Sequence, residues 1–217
     1  IREARGPGQP RRGTHQAHQD KYRYGGPPPA VNWWPNPAPD DAVTAMPKDP
    51  VYDWLAYYAD FDPARVAAVD LATGRWLSYG ALDDRATRLA TALREDFGVR
   101  PFDRVAFVAH NSTDHFEAMF ACWKLGAMFV PLNWRLSPYE TVEVLRLAEP
   151  RVVLCDAELE PHLEGDATAR VLRKPGEAGS AYERLIANHP PAVRMAGVDS
   201  DMPNMLLFTS GTTGRPK

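Results

Sequence analysis

Apolar residues recur along this chain with helical and strand-like periods that alternate in short blocks. Val51, Trp54, Leu55 and Tyr58 stand at i, i+3, i+4, i+7 spacing behind Asp49-Pro50. That spacing predicts a helix capped by Asp49, with Pro50 at its first position and its aromatic stripe packed in a core. Arg65 to Asp70 reads as a short strand, and Arg75 to Tyr79 as its hairpin partner across Thr73-Gly74. Leu82, Ala86, Leu89, Ala90, Leu93 and Phe97 form the next helical stripe, closed by Gly98. A buried strand, Arg104 to Ala109, leads to a helix capped by Asn111 or Ser112. That helix carries Phe116, Met119, Phe120 and Trp123 and stops at Gly126. Ala127 to Pro131 is the next strand. Ser137-Pro138-Tyr139-Glu140 is a capping box with proline at the first helical position, opening a helix to Ala148. Arg151 to Cys155 follows as a strand. Residues 156–180 read as loop with a short strand at Arg170 to Arg173, then a helix at Ala181 to Asn188 and an apolar strand at Met205 to Phe208.

Strands and helices alternating with short joints predict an α/β fold, a largely parallel sheet with flanking helices. Ligands of such sheets gather at the carboxyl ends of the strands. The first 45 residues break the pattern. Ten of the 21 prolines lie in the first 50 positions, among Arg, His, Gln and Gly, and the few aromatics there show no period. With so little apolar surface to offset ordering entropy, residues 1–45 are expected to be a disordered tail. The chain opens on Ile1 and closes on Lys217, inside a glycine-rich run, so an incomplete reading frame is expected, with Met46 a candidate start.

Composition narrows the function classes. At 44% hydrophobic and 24% charged, the 217 residues have material for a core, which excludes wholesale disorder. A net charge of −3 provides no field for nucleic acid. Ala118 to Leu132 is the longest apolar stretch, and Lys124 and Gly126 break it well short of the ~20 residues a membrane span needs. No spanning segment is expected, which leaves peripheral membrane contact open. Cys122 and Cys155, 33 positions apart, form neither a disulfide framework nor a thiolate zinc site, and fit a reducing, cytoplasmic compartment.

The chemistry sits at the end of the chain, Thr209-Ser-Gly-Thr-Thr-Gly-Arg-Pro-Lys217. Gly211 and Gly214 admit backbone turns in which N–H groups converge on an anion. Ser210, Thr212 and Thr213 add hydroxyls, and Lys217 adds a positive charge. The run is not a Walker loop, because Arg215-Pro216 follow the second glycine and Pro216 disfavours a helix at Arg215. A plain surface turn is the bland alternative, yet the literal order would recur by chance about once in a million such chains.

This run resembles the phosphate loop of the adenylate-forming (AMP-binding) superfamily. Two earlier segments are similar to that family's elements in the same order: Leu77-Ser-Tyr-Gly-Ala-Leu82, and Trp123-Lys-Leu-Gly-Ala-Met-Phe-Val-Pro-Leu132. Ala81 stands where the family usually has Glu. Pro131-Leu-Asn-Trp-Arg-Leu-Ser-Pro138 looks most like fatty-acyl-CoA synthetases. The resemblance implies that residues 49–217 are the N-terminal part of the large, AMP-binding domain, truncated in its phosphate loop. It implies a ligase in which a carboxylic acid, expected to be a fatty acid, attacks ATP to give acyl-AMP, and the acyl group then passes to CoA. Thr209, Ser210, Gly211, Thr212, Thr213, Gly214 and Lys217 would hold the ATP phosphates. The family's Mg2+ ligand and catalytic lysine would lie downstream, so the chain by itself is expected to hold no catalytic residue, to ligate no metal and to be inactive. An acyl-AMP ligase or adenylation domain loading a carrier protein stays open as an alternative, as does a truncated non-catalytic product.

Other candidates read as structural. His110 ends a strand and is expected to hydrogen-bond locally, and His115 to pack. His15 and His18 make a poor metal site. Cys122 is expected to be buried and inert, Asp83-Asp84 to lie on a solvated face, and Arg11-Arg12 not to form a nucleic-acid arm.

Overall fold

The computed structural model describes residues 52–209, apart from 175, 176, 178, 196, 197, 199 and 200. The expected tail, with the Asp49-Pro50 cap, lies outside the described residues. Helix α1 (Trp54–Phe61) begins instead behind Asp53, whose side chain accepts the N–H of Ala56. Strands β1 (Val66–Val69) and β2 (Trp76–Ser78) pair as the expected antiparallel hairpin. Its turn is held by Asp70, whose carboxylate accepts the N–H groups of Ala72 and Thr73. Leu55, Leu77, Leu82 and Ala86 form a small core beneath this corner. The aromatic stripe of α1 does not join it: Trp54 is 65% exposed and Tyr58 43%. The spacing located the helix but misassigned its buried face, which Leu55 alone provides.

Helix α2 (Tyr79–Asp96) follows, capped by Ser78, and buries Leu82, Ala86, Leu89, Ala90 and Leu93 as the stripe predicts. Then come β3 (Arg104–Val108), α3 (Asp114–Leu125), β4 (Met128–Leu132), α4 (Pro138–Ala148) and β5 (Val152–Asp156). The capping box of α4 is complete, with Ser137 Oγ accepting the Glu140 N–H and Glu140 accepting the Ser137 N–H. After β5 the predicted loop tightens into a 3-10 segment, Ala157–Leu163, which buries Leu159 and Leu163. Strand β6 (Arg170–Arg173) and helix α5 (Ala181–Asn188) lie where expected.

The sheet is parallel, in the order β4-β3-β5-β6. Alternate residues of each strand face opposite layers. Val105, Phe107, Phe129, Val152 and Leu154 pack in a core with α2, α3 and α5 residues such as Leu89, Leu93, Ala118 and Ile186. Ala106, Val108, Val130, Val153 and Cys155 pack on the other side with Val144, Leu145, Leu159 and Leu163. The connection from β3 leads to β4 on one side, and that from β5 leads to β6 on the other. Between β3 and β5 the strand order therefore reverses, which is where open α/β sheets form their ligand crevice.

Met205 to Phe208, predicted as a strand, forms a single parallel bridge to β4, Phe129 with Met205. Phe129 N–H donates to the Asn204 carbonyl and Leu206 N–H to the Phe129 carbonyl, both at 3.0 Å. Met205 packs against the first core, Leu206 and Phe208 against the second.

Candidate functional site

The sites of interest lie at the carboxyl edge of the sheet. Because the bridge at Met205 is parallel, the segment enters beside β4 in that strand's direction. Thr209 is exposed. Ser210, Gly211, Thr212, Thr213, Gly214 and Lys217, the remaining predicted phosphate-binding residues, lie outside the described residues. A cavity of about 390 Å3 opens at the same edge, between the ends of β3 and β4. Phe107, Asn111, His115, Asn133, Trp134 and Arg135 contribute to its wall. The His115 ring meets Phe107 and Phe129 edge-on. Burial, reinforced by the charge of Arg173, holds its imidazole below the ordinary value of 6.5, so a neutral ring faces the cavity at pH 7.

Across the β3/β5 crevice stands His110. Its N–H donates to Asp156 Oδ2 at 2.8 Å, and its Nδ1 lies 3.1 Å from that oxygen and 3.1 Å from Glu158 Oε1. The ring rests on Trp134 with centroids 4.3 Å apart, and the Arg135 guanidinium covers the indole. A local hydrogen-bond partner is expected for His110, but its partner Asp156 lies 46 positions away on the neighbouring strand.

Behind Asp156 runs a chain of buried and half-buried ions that sequence periodicity missed. Arg173, 1% exposed, donates to Asp156 Oδ1 at 2.6 Å, to Asp114 Oδ2 at 2.7 Å and to Ser112 Oγ at 2.9 Å. Arg75 pairs with Asp114 and, at 2.9 Å, with Glu117. Arg85 grips Glu117 through Nε at 2.8 Å and Nη2 at 3.0 Å, and reaches Glu183 at 2.7 Å. The Tyr182 hydroxyl donates to Glu117 at 3.0 Å. Burial opposes the charge on Arg85, but the Glu117 and Glu183 bonds outweigh it and raise its pKa. Burial also raises the carboxyl of Glu117 above its usual range, against the pull of Arg85. The cost of desolvating the buried Arg173, Asp114, Asp156 and Glu117 is offset because each of these has several partners.

The buried face of α3 accordingly differs from the predicted one. Asp114, Glu117, Ala118, Ala121, Cys122, Lys124 and Leu125 are buried, whereas Phe116 is 43% exposed. Neither Asn111 nor Ser112 caps the helix; Thr113 occupies the cap position without a side-chain bond, and Ser112 serves Arg173. Asp83 is not a solvated-face residue either, since it accepts from the buried Lys124 ammonium at 2.7 Å, while Asp84 pairs with Arg88. Cys122 is buried and its thiol is pushed up by desolvation. Burial pushes Cys155 up to about 12. Both are unreactive at neutral pH.

Residues 55–217 match the family described as AMP-binding enzyme. The chain belongs to that family. Among curated members, an indoleacetate–CoA ligase of Aromatoleum aromaticum is 33% identical over 172 residues, covering 76% of this chain and 33% of that ligase. A fatty acid–[acyl-carrier-protein] ligase of Streptomyces coeruleorubidus is 33% identical over 164 residues, covering 75% and 31%. The crystal structure of ATP-bound MatB from Rhodopseudomonas palustris superposes with a TM-score of 0.66 at 28% identity, over 75% of this chain and 33% of that one. This AMP-binding chain thus spans about a third of the length of the relatives it matches. The parallel sheet with its flanking helices is part of an adenylate-forming N-terminal domain.

The sequence contained a signal for some of what was missed. Asp156 and Glu158 directly follow a buried apolar strand, the position where parallel sheets present ligand-facing groups. Arg173 carried no such signal, because a single arginine ending a short strand reads as exposed.

Proposed function

We propose that this chain is the N-terminal part of an ATP-dependent acid–thiol ligase. Residues 49–217 belong to its AMP-binding domain and residues 1–45 are a tail outside it. The observation that supports the reading is the parallel bridge between Phe129 and Met205, which sets the residues leading into the glycine–hydroxyl run beside β4. Its donor set fits a polyphosphate: amides freed by Gly211 and Gly214, hydroxyls of Thr209, Ser210, Thr212 and Thr213, and the Lys217 ammonium. An anionic acid must approach a polyanionic triphosphate, so charge neutralisation and positioning are the main catalytic tasks. In this reading Thr209 to Gly214 cradle the β- and γ-phosphates, and Lys217 balances charge on the departing pyrophosphate. Mg2+ enters with the nucleotide and takes no ligand from this chain.

The acid proposed first is a fatty acid and the acceptor CoA, supported by the likeness of Pro131 to Pro138 to fatty-acyl-CoA synthetases. A carrier-protein thiol is the second reading, favoured by the similarity to the Streptomyces ligase. A cytoplasmic location is part of this proposal, supported by the two free, buried cysteines, which fit a reducing compartment.

Acid-dependent ATP–pyrophosphate exchange, measured on the longest polypeptide the gene encodes across fatty and aryl acids, tests this. Exchange is expected with at least one acid, and Gly211→Val and Gly214→Val should each lower it by about 100-fold or more. The 217-residue chain alone should show none. Undiminished exchange in both variants overturns the loop assignment, and silence with every acid overturns the ligase. Release of acyl-CoA, against acylation of a phosphopantetheinylated carrier, separates the two acceptors.

A further inference from the structure

At the crevice between the ends of β3 and β5, three donors are spaced as a ligand set. His110 Nδ1 lies 3.1 Å from both Asp156 Oδ2 and Glu158 Oε1, and all three atoms fall within 4.8 Å of one another. Tetrahedral ligands on an ion with bonds of ~2.1 Å stand about 3.4 Å apart, so the 3.1 Å spacings need only a few tenths of an ångström of opening. We propose that His110, Asp156 and Glu158 bind a divalent first-row transition cation of the zinc class. The inference is independent of the ligase reading.

Their surroundings hold the donors in place from outside, as the shell around a metal site does. Arg173 occupies Asp156 Oδ1, and the His110 amide takes one lone pair of Oδ2, leaving the other directed to the His110 ring. The ring is fixed against Trp134. With its proton on Nε2, the imidazole presents a free lone pair at Nδ1 between the two carboxylates. A proton on Nδ1 is the competing occupant, but one N–H serves two carboxylates poorly, whereas one ion coordinates all three atoms. Glu158 is 70% exposed and His110 38%, so water can complete the coordination sphere. One imidazole with two carboxylates suits zinc, cobalt, nickel or manganese, whereas calcium and magnesium favour oxygen alone. Bound there, the ion would tie the 3-10 segment after β5 to the end of β3.

The test uses the whole 217-residue chain, stripped with chelator and titrated with zinc alone by calorimetry and with cobalt alone by visible absorption. One equivalent of zinc is expected to bind with micromolar affinity and to raise the melting temperature. Glu158→Gln, at an exposed position that leaves folding intact, should weaken zinc by about tenfold. His110→Gln should weaken it by about 100-fold and remove the cobalt band and the thermal shift, with an unchanged circular dichroism spectrum. Three results would each overturn the proposal: both variants titrating like the parent, which puts the ion elsewhere; equimolar magnesium displacing zinc; or no binding below ~1 mM.

Discussion

Arg173 is the residue on which most of the buried charge converges. It faces two carboxylates that are themselves almost fully buried, Asp114 and Asp156. Replacing it with Met keeps volume but strands both acids, and the expected loss is about 3–5 kcal/mol in denaturant unfolding. A loss below ~1 kcal/mol would mean that water already reaches these carboxylates. His115 supplies a pH dependence. Its folded-state pKa lies below 6.5, so the unfolded chain binds the proton more readily. Its contribution is therefore intact above pH 6.5 and declines as pH falls from there toward the lowered folded value. His115→Phe keeps the edge-on packing and removes the titration. Its stability should change less than the parent's between pH 7 and pH 5.

Two elements depend on long-range partners. Lys124, in the last turn of α3, donates to Asp53 at 2.6 Å and to Asp83 at 2.7 Å, joining α3 to the cap of α1 and to α2. In Lys124→Met, amide exchange in α1 is expected to accelerate by about tenfold or more while α2 stays protected. An unchanged α1 would show that Leu55 suffices to hold it. Gly126 ends α3 with φ at +66°, and an added Cβ would come 3.0 Å from Met202 Cε. Gly126→Ala should cost about 1–2 kcal/mol for the left-handed backbone, with the flexible Met202 tip yielding. The elements themselves were largely legible. Ser137-Pro138-x-Glu140 fixed the start of α4 because capping is local chemistry, and the valine-rich strands announced themselves by composition. The buried face of α3 was not legible. Asp114, Glu117 and Lys124 look solvent-facing until Arg75, Arg85, Arg173, Asp53 and Asp83 arrive from 32 to 71 positions away. No window of periodicity spans that distance. Likewise the order of Thr209 to Lys217 carries the proposed phosphate loop in sequence alone, whereas the three donors at His110 meet only because β3 and β5 are neighbours.

At the scale of the molecule, two cores sandwich one sheet, and the segment before the loop contributes to both through Met205, Leu206 and Phe208. Phe208 is only partly buried, so Phe208→Ala should lower stability less than a fully buried truncation does. By loosening the approach to Thr209 it should raise the KM for ATP in the pyrophosphate exchange of the complete enzyme. A variant as unstable as Phe129→Ala with an unaltered KM would assign Phe208 to the core instead. The ion chain from Glu183 through Arg85, Glu117, Arg75, Asp114 and Arg173 to Asp156 also touches most of these layers. It sets a rule for recombining this protein with its relatives. A crossover placed anywhere between positions 75 and 183 divides interdependent acids and bases between two parents, and a graft of one helix inherits orphaned charges. Hybrids should therefore exchange that whole stretch as a unit, or carry its seven ions across together.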